Sequence, residues 1–493
     1  MNLEGLLTYF ALLAAALAIM DPVQRRALGL FIPKWLLPGS IALALTLLIF
    51  RDMPLGLRPP FGWPLDLVRY CLTLGAFVIP SLCAVLAWSL WYSARLTLSN
   101  MPKLEAFFHT ALQQGQFDEV ERILLRNHDR IRRMPTGAAT TLFQPRMVRY
   151  FIESHSFMHL ELLVNRAFLD SLKNRFQAVE VVTREMLTAE ASPIQSAVVA
   201  TYGGIEHLVY TSQEKELIES TFLNPDWYHA ANAHYPLIIT AVNKIQSGEL
   251  DAAYNRPDEN YLARQGVSRR SRCPVYLAIK TEVMAIERAI ELGNEKDFYI
   301  SDLFQILQKV FEHSTFDVVA TQTCGPRADH TPYSYLIETI ASDLESLTEE
   351  AVRQSVKTSL ASGEEPKPTQ NGIILLRMWS FSICLLMGKP GHIDPALRDQ
   401  IVDRYFRFLF ALGFEPSEIV FAGANRPDNL NHWRRPLLKE LRDGLRNPGQ
   451  EIFTTLHSVF RSLDMGKPFI GDGYEWLRTQ LPESFFPLQS SSR

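Results

Sequence analysis

Three stretches free of Asp, Glu, Lys and Arg lie within the first hundred residues, at Gly5–Met20, Trp35–Phe50 and Tyr70–Ala94, and they dictate the solvent this part of the chain must meet. A hydrocarbon slab about 30 Å thick takes roughly 20 apolar residues at helical rise. Tyr70–Ala94 is long enough by itself, and Pro80 within it is a kink that lipid-embedded helices tolerate. The other two stretches are shorter. Leu3 lengthens the first, and the Leu-Phe-Ile run before Pro33 lengthens the second, with Lys34 able to snorkel to the headgroups. Trp35, Trp63, Trp88, Trp91 and Tyr92 sit near segment ends, where amphipathic rings favour the interface. The sequence thus predicts a three-helix transmembrane bundle over residues 1–100, with helices near 3–20, 35–50 and 70–94. The acidic start Met1-Asn2-Leu3-Glu4 favours a retained anchor over a cleaved signal, although Ala16-Leu17-Ala18 offers small residues at cleavage spacing.

Basic residues orient the bundle. Arg25, Arg26 and Lys34 crowd the first joint and none precedes them, which places the amino end outside and, after three crossings, the rest of the chain inside. Arg95, Lys103 and the cluster Arg126, Arg130, Arg132 and Arg133 agree, whereas Arg51, Arg58 and Arg69 in the second joint dissent. The expectation is a multi-pass plasma (inner) membrane protein with a large cytoplasmic C-terminal region.

That region has its own composition. The first hundred residues hold seven basic and four acidic side chains, so the remainder, with 42 and 49, carries a net charge of −7. Such acidity argues against general nucleic-acid binding, which leaves a basic footprint. Cys273, Cys324 and Cys384 are far apart and form no CxxC pair, a pattern suited to a reducing compartment.

Periodicity beyond residue 100 is helical. Apolar groups recur at three- and four-residue spacing through Leu104–Leu112, stop at Gly115, and resume at Phe117, Val120, Ile123 and Leu124, which reads as a helical hairpin with a glycine stop. Gly248 and Gly293 punctuate in the same way, yet the spacings of 133 and 45 residues establish no repeat period. With few alternating β-branched runs, the fold class expected is all-α, an irregular solenoid-like array. Loops at Met134–Pro145, Arg256–Arg272 and Ala361–Gly372 divide it into a membrane-proximal hairpin at 101–135, a helical array at 146–360 and a C-terminal helical domain at 373–493. Ile373–Met387 is apolar but short and carries Arg377, whose insertion costs roughly 2.5–3.5 kcal/mol, so it reads as a core helix.

Sites of chemistry are weakly marked. His229 and His234 are five apart, off the spacing that puts two ligands on one helix face, and read as groups that cap or bridge helices; no metal or cofactor is expected. Cys324 and His330 share a loop with Arg327 and Asp329, which puts a thiol and an imidazole close in sequence without fixing their geometry. The segment Phe421–Pro436 gathers Asn425, Arg426, Asp428, Asn431, His432, Arg434 and Arg435, whose guanidinium forks suit a phosphate or carboxylate. Arg126, Arg130, Arg132 and Arg133 lie within reach of acidic headgroups. No phosphate loop, dinucleotide fingerprint, nucleophile elbow or HExxH pair occurs, which lowers the expectation of an enzyme.

The function expected is that of a membrane-anchored protein whose helical region receives a protein partner, a second copy or a small ligand and couples it to the bundle. The layout suits a membrane-perturbing effector of a bacterial defence system. The competing expectation is a membrane-tethered enzyme using the loops near Cys324 and Asn425.

Overall fold

The structure is a computed structural model that describes residues 22–33, 35–52, 64–93, 101–127, 140–154, 157–170, 172, 174–202, 205–248, 273–293, 300–314, 332–362, 368–388, 392–412 and 427–487, with isolated positions 8, 11, 15 and 19. Of these residues 81% are helical and 2% lie in strands. The chain divides into two compact units, Met1–Val182 and Thr183–Arg493.

The first unit contains α1 (Pro22–Phe31), α2 (Leu36–Asp52), α3 (Leu65–Ser93), α4 (Met101–Gln113), α5 (Phe117–Arg126), α6 (Pro145–Glu153), α7 (Phe157–Val164) and α8 (Arg166–Asp170). A further helix, α9 (Arg175–Thr188), runs across the boundary between the units. The basic joint after the first apolar stretch is itself helical. Its Ala27, Leu30 and Phe31 are buried, so α1 is an amphipathic element and not a simple loop. The stretch Gly5–Met20 lies outside the described residues apart from isolated positions.

Helices α2 and α3 pack along each other in opposite directions. Ala44 and Leu48 meet Ala76, flanked by Leu47 and Phe77, while at the other end Ile32 and Leu36 meet Ala87, flanked by Cys83. The small residues Ala44, Ala76 and Ala87 at the seam let the backbones approach. The outward faces are apolar. Leu82 and Val85 are 62% and 66% exposed, and Leu43, Ile49, Phe50, Leu74, Val78 and Leu86 are exposed as well. Leu65–Leu90 has a mean hydropathy of 2.0, yet 17% of its most apolar window is buried.

In the second unit, β1 (Val198–Tyr202) and β2 (Ile205–Val209) form an antiparallel hairpin in which Tyr202 pairs with Ile205. Then come α10 (Ser212–Ser220), α11 (Pro225–Ala231), α12 (His234–Gln246), α13 (Pro274–Glu291), α14 (Ile300–His313), α15 (Pro332–Ser362), α16 (Gln370–Gly388), α17 (Pro395–Ala411), α18 (Pro427–Gly444), α19 (Gln450–Ser462) and α20 (Pro468–Gln480). The fold is all-α as expected, with one short exception in this hairpin. Its cause is local: Val198, Val199, Thr201, Tyr202 and Ile205 favour extended backbone, and the sequence sets Gly203-Gly204 between the strands.

Two helices anchor this unit. α13 packs against α11, α12, α14, α15 and β2, and α16 against α14, α15, α17, α18 and α19. Gln370–Gly388 is also long and apolar enough to cross a membrane, with a mean hydropathy of 1.5, but 56% of it is buried. Leu375, Leu376, Trp379, Ile383, Leu386 and Met387 are in the core, and Trp379 meets Tyr405 edge-on at 5.3 Å between ring centroids. Arg377 Nε lies 3.7 Å from Glu440 Oε1 on α18. Composition alone makes α3 and α16 alike; burial separates them.

The seam between α16 and α18 closes on Gly444, where an added Cβ would sit 2.4 Å from Cys384 Sγ. Gly444→Ala is expected to lower stability by about 1–3 kcal/mol, the usual cost of overpacking. Adding Cys384→Ala removes Sγ and should restore part of the loss in a thermal melt, whereas equal melting of the single and double variants would contradict this packing.

Candidate functional site

Two regions concentrate chemistry, one in each unit. In the first unit it is the end of the α2–α3 hairpin where α2 begins and α3 stops. Trp35, Trp88 and Tyr92 are exposed there, at 71%, 60% and 62%. These are the amphipathic rings that settle at a lipid interface. The Arg126 guanidinium on α5 lies 4.4 Å from the centroid of the Tyr92 ring. On α1, Arg26 Nη1 donates to Thr110 Oγ1 of α4. The α4–α5 hairpin therefore touches both α1 and α3 through cationic side chains. Arg130, Arg132 and Arg133 lie outside the described residues.

In the second unit the site is α13. Its sequence alternates apolar and ionisable residues so that polar groups emerge on more than one face, and all of Lys280, Thr281 and Glu282 are buried. On one face Lys280 Nζ donates to both carboxylate oxygens of Asp343 on α15, at 2.6 and 2.8 Å. Nearby, Glu206 of β2 accepts from Tyr276 at 2.7 Å and from Tyr335 at 2.5 Å, and His207 Nδ1 lies 3.6 Å from Glu287. On another face the Tyr228 hydroxyl of α11 donates to Glu282 Oε2, while Glu282 Oε1 has no hydrogen-bond partner among the described residues. His234 of α12 contacts Asp302 Oδ2 at 2.7 Å through Nδ1, and Asn232 through Nε2. Asn232 holds the left-handed position that ends α11.

Burial controls the charges of this belt. It pushes the Glu282 carboxyl up to about 8, against the lowering effect of the Tyr228 hydrogen bond and with help from Asp302. Glu287 rises to about 7 through burial and the neighbouring Glu291, Glu350 and Asp343 charges. Asp343 rises to about 6, because desolvation outweighs the attraction of Lys280. His207 is lowered by burial and by Lys280. Paired or protonated, each group avoids the cost of a lone buried charge.

The residues singled out in the sequence fall in different places. Arg434 is buried, and its Nε and Nη2 donate to the carbonyls of Leu409 and Phe410 at 3.2 and 2.9 Å, at the end of α17. Its guanidinium lies 4.7 Å from the Trp476 ring centroid, and burial lowers its pKa to about 10. The fork that suits an anion is turned on helix-end carbonyls. Arg435 is exposed, and Asp428 and His432 lie on the first turns of α18. Asn425, Arg426, Cys324 and His330 lie outside the described residues. His229 is exposed on α11, and His234 links α12 to α14. Among the described residues no cluster of three or more His, Cys, Asp or Glu could hold a metal ion. The polar belt of α13 was not anticipated, since its members are spread from Glu206 to Asp343 and each alone reads as an ordinary surface charge.

Comparison with protein-family models, with curated proteins and with solved structures finds no match to this chain.

Two outcomes follow from the belt. Asp343→Ala strands a buried ammonium and should cost about 3–5 kcal/mol, whereas the double change Lys280→Met with Asp343→Leu should cost less, as measured by thermal or denaturant unfolding. A double variant less stable than Asp343→Ala would contradict the assignment. Raised carboxyl pKa values mean that the folded chain holds protons the unfolded chain releases, so stability is fullest below about pH 4 and is lost as pH rises toward about 8. His207 acts in the opposite sense below its ordinary 6.5. Melting temperature should fall between pH 5.5 and 8.5, and Glu282→Gln should flatten that fall while leaving the acid-side value nearly unchanged. An unaltered slope in the variant would show that Glu282 does not carry it.

Proposed function

We propose that this chain is an integral membrane protein in which Gly5–Met20, α2 and α3 form a three-helix anchor with its amino end outside the cell. The helical remainder lies in the cytoplasm, binds a protein partner, a second copy or a small ligand, and passes that event to the bundle. A membrane-perturbing effector of a bacterial defence system is the form of this reading that fits the layout. The observation that carries it is the outward face of α3, where Leu74, Val78, Leu82, Val85 and Leu86 are exposed side by side along one helix. Water leaves such a face unstable; lipid does not.

Coupling rests on the contacts at one end of the hairpin. Arg126 on Tyr92 and Arg26 on Thr110 tie α5 to α3 and α1 to α4, so displacement of α4 and α5 is transmitted to the helices that would sit in lipid. Two arrangements of this joint, biased by occupancy of the helical region, suffice for a switch.

The full-length chain should sediment with membranes, resist alkaline carbonate extraction and require detergent. Leu82→Arg places a cation mid-helix at a cost of roughly 2.5–3.5 kcal/mol and should reduce the carbonate-resistant fraction. A wild-type chain recovered from the soluble fraction without detergent, or a variant that only improves solubility, would remove the membrane reading.

A further inference from the structure

The charge balance of α5 leaves one cation unaccounted for. Its acidic residues all have neighbours: Glu119 pairs with Arg122 at 2.8 Å, and Asp118 and Glu121 share the single O–H donor of Tyr150, whose hydroxyl oxygen lies 2.7 and 2.8 Å from them. Arg126 is exposed in the last turn, and among the described residues no carboxylate lies within ion-pair distance of it. Its guanidinium carbon lies 4.4 Å from the Tyr92 ring centroid, a cation–π contact with the ring that does not use up its five N–H donors. Next to it, Leu125 is 46% exposed, an apolar side chain beside the cation. Trp35, Trp88 and Tyr92 collar the same end of the α2–α3 hairpin.

We propose that Arg126, seated on Tyr92, binds the phosphate of an anionic phospholipid at the interfacial end of α3. The inference rests on the reading of α3 as a membrane helix and adds the class of lipid it selects. Phosphate oxygens match the guanidinium fork, the acyl chains run along the outward face of α3, and Leu125 contacts the upper chain region. Because Tyr92 is part of α3, the lipid bridges the membrane helix and the membrane-proximal hairpin. Loss of the lipid loosens the joint through which coupling passes.

The test uses the full-length protein in nanodiscs of phosphatidylcholine alone or mixed with phosphatidylglycerol, with bound lipid quantified after washing. Wild type should retain phosphatidylglycerol preferentially, and Arg126→Gln should lower that preference about fivefold, the effect of roughly one surface cation. Arg126→Lys should fall between them, keeping charge and losing the fork. Both variants should melt with the wild type, and Tyr92→Leu, which removes the platform without touching charge, should reproduce part of the loss. An unchanged preference in Arg126→Gln overturns the headgroup site while leaving the membrane anchor standing. Displacement of the lipid preference by millimolar inorganic phosphate shows a free-phosphate site and overturns the lipid assignment. A chain that stays dispersed without detergent overturns the anchor, and the headgroup site with it.

Discussion

The outward face of α3 is the constraint on which the rest of this structure depends. Leu65–Ser93 hides Ala76 and Ala87 against α2 and presents Leu82, Val85 and Trp88 to its surroundings. A soluble helix buries its apolar stripe and shows its charges. Here apolar side chains are exposed as well, and the small residues Ala44, Ala76 and Ala87 let α2 and α3 pack closely. The contrast with α16 makes the point within one chain: a similar composition, placed beneath α14, α15, α17, α18 and α19, fills a core.

The helical region is organised by a different balance. α13 is buried along most of its length and still carries Lys280, Glu282 and Glu287. Taking a charge out of water costs several kcal/mol after relaxation, and a partner returns that only with good geometry. The two Lys280–Asp343 hydrogen bonds meet this condition, and Glu282 meets it differently, by holding its proton below about pH 8. Polar groups of this kind specify which helices may sit against α13, since a slipped register would leave an ammonium or a carboxylate alone.

Much of the fold was legible from residues. Gly115, Gly248 and Gly293, read as helix stops, all hold positive φ, and Gln116 N–H reaches the Ala111 carbonyl in the matching capping pattern. The core placement of Ile373–Met387 follows from its short apolar run and from Arg377. Two features escaped. The β-hairpin is only ten paired residues long, and its Gly203-Gly204 signal is outweighed by helical surroundings. Arg434 looked like an anion ligand because guanidinium serves carboxylates and carbonyls equally well; only the fold decides that Leu409 and Phe410 stand in front of it. The α13 belt was invisible for a related reason, since Tyr228, Glu282, His234 and Asp302 come from four separate helices.

Whether lipid is the solvent of α3 is measured most directly by the chemistry of a thiol on its outward face. Val78→Cys, made in a background lacking the five native cysteines and reconstituted into vesicles, is exposed to a water-soluble maleimide on both sides of the membrane. The account predicts no labelling until detergent or denaturant dissolves the bilayer, because Val78 faces hydrocarbon. Rapid labelling in intact vesicles would place this face in water and contradict it.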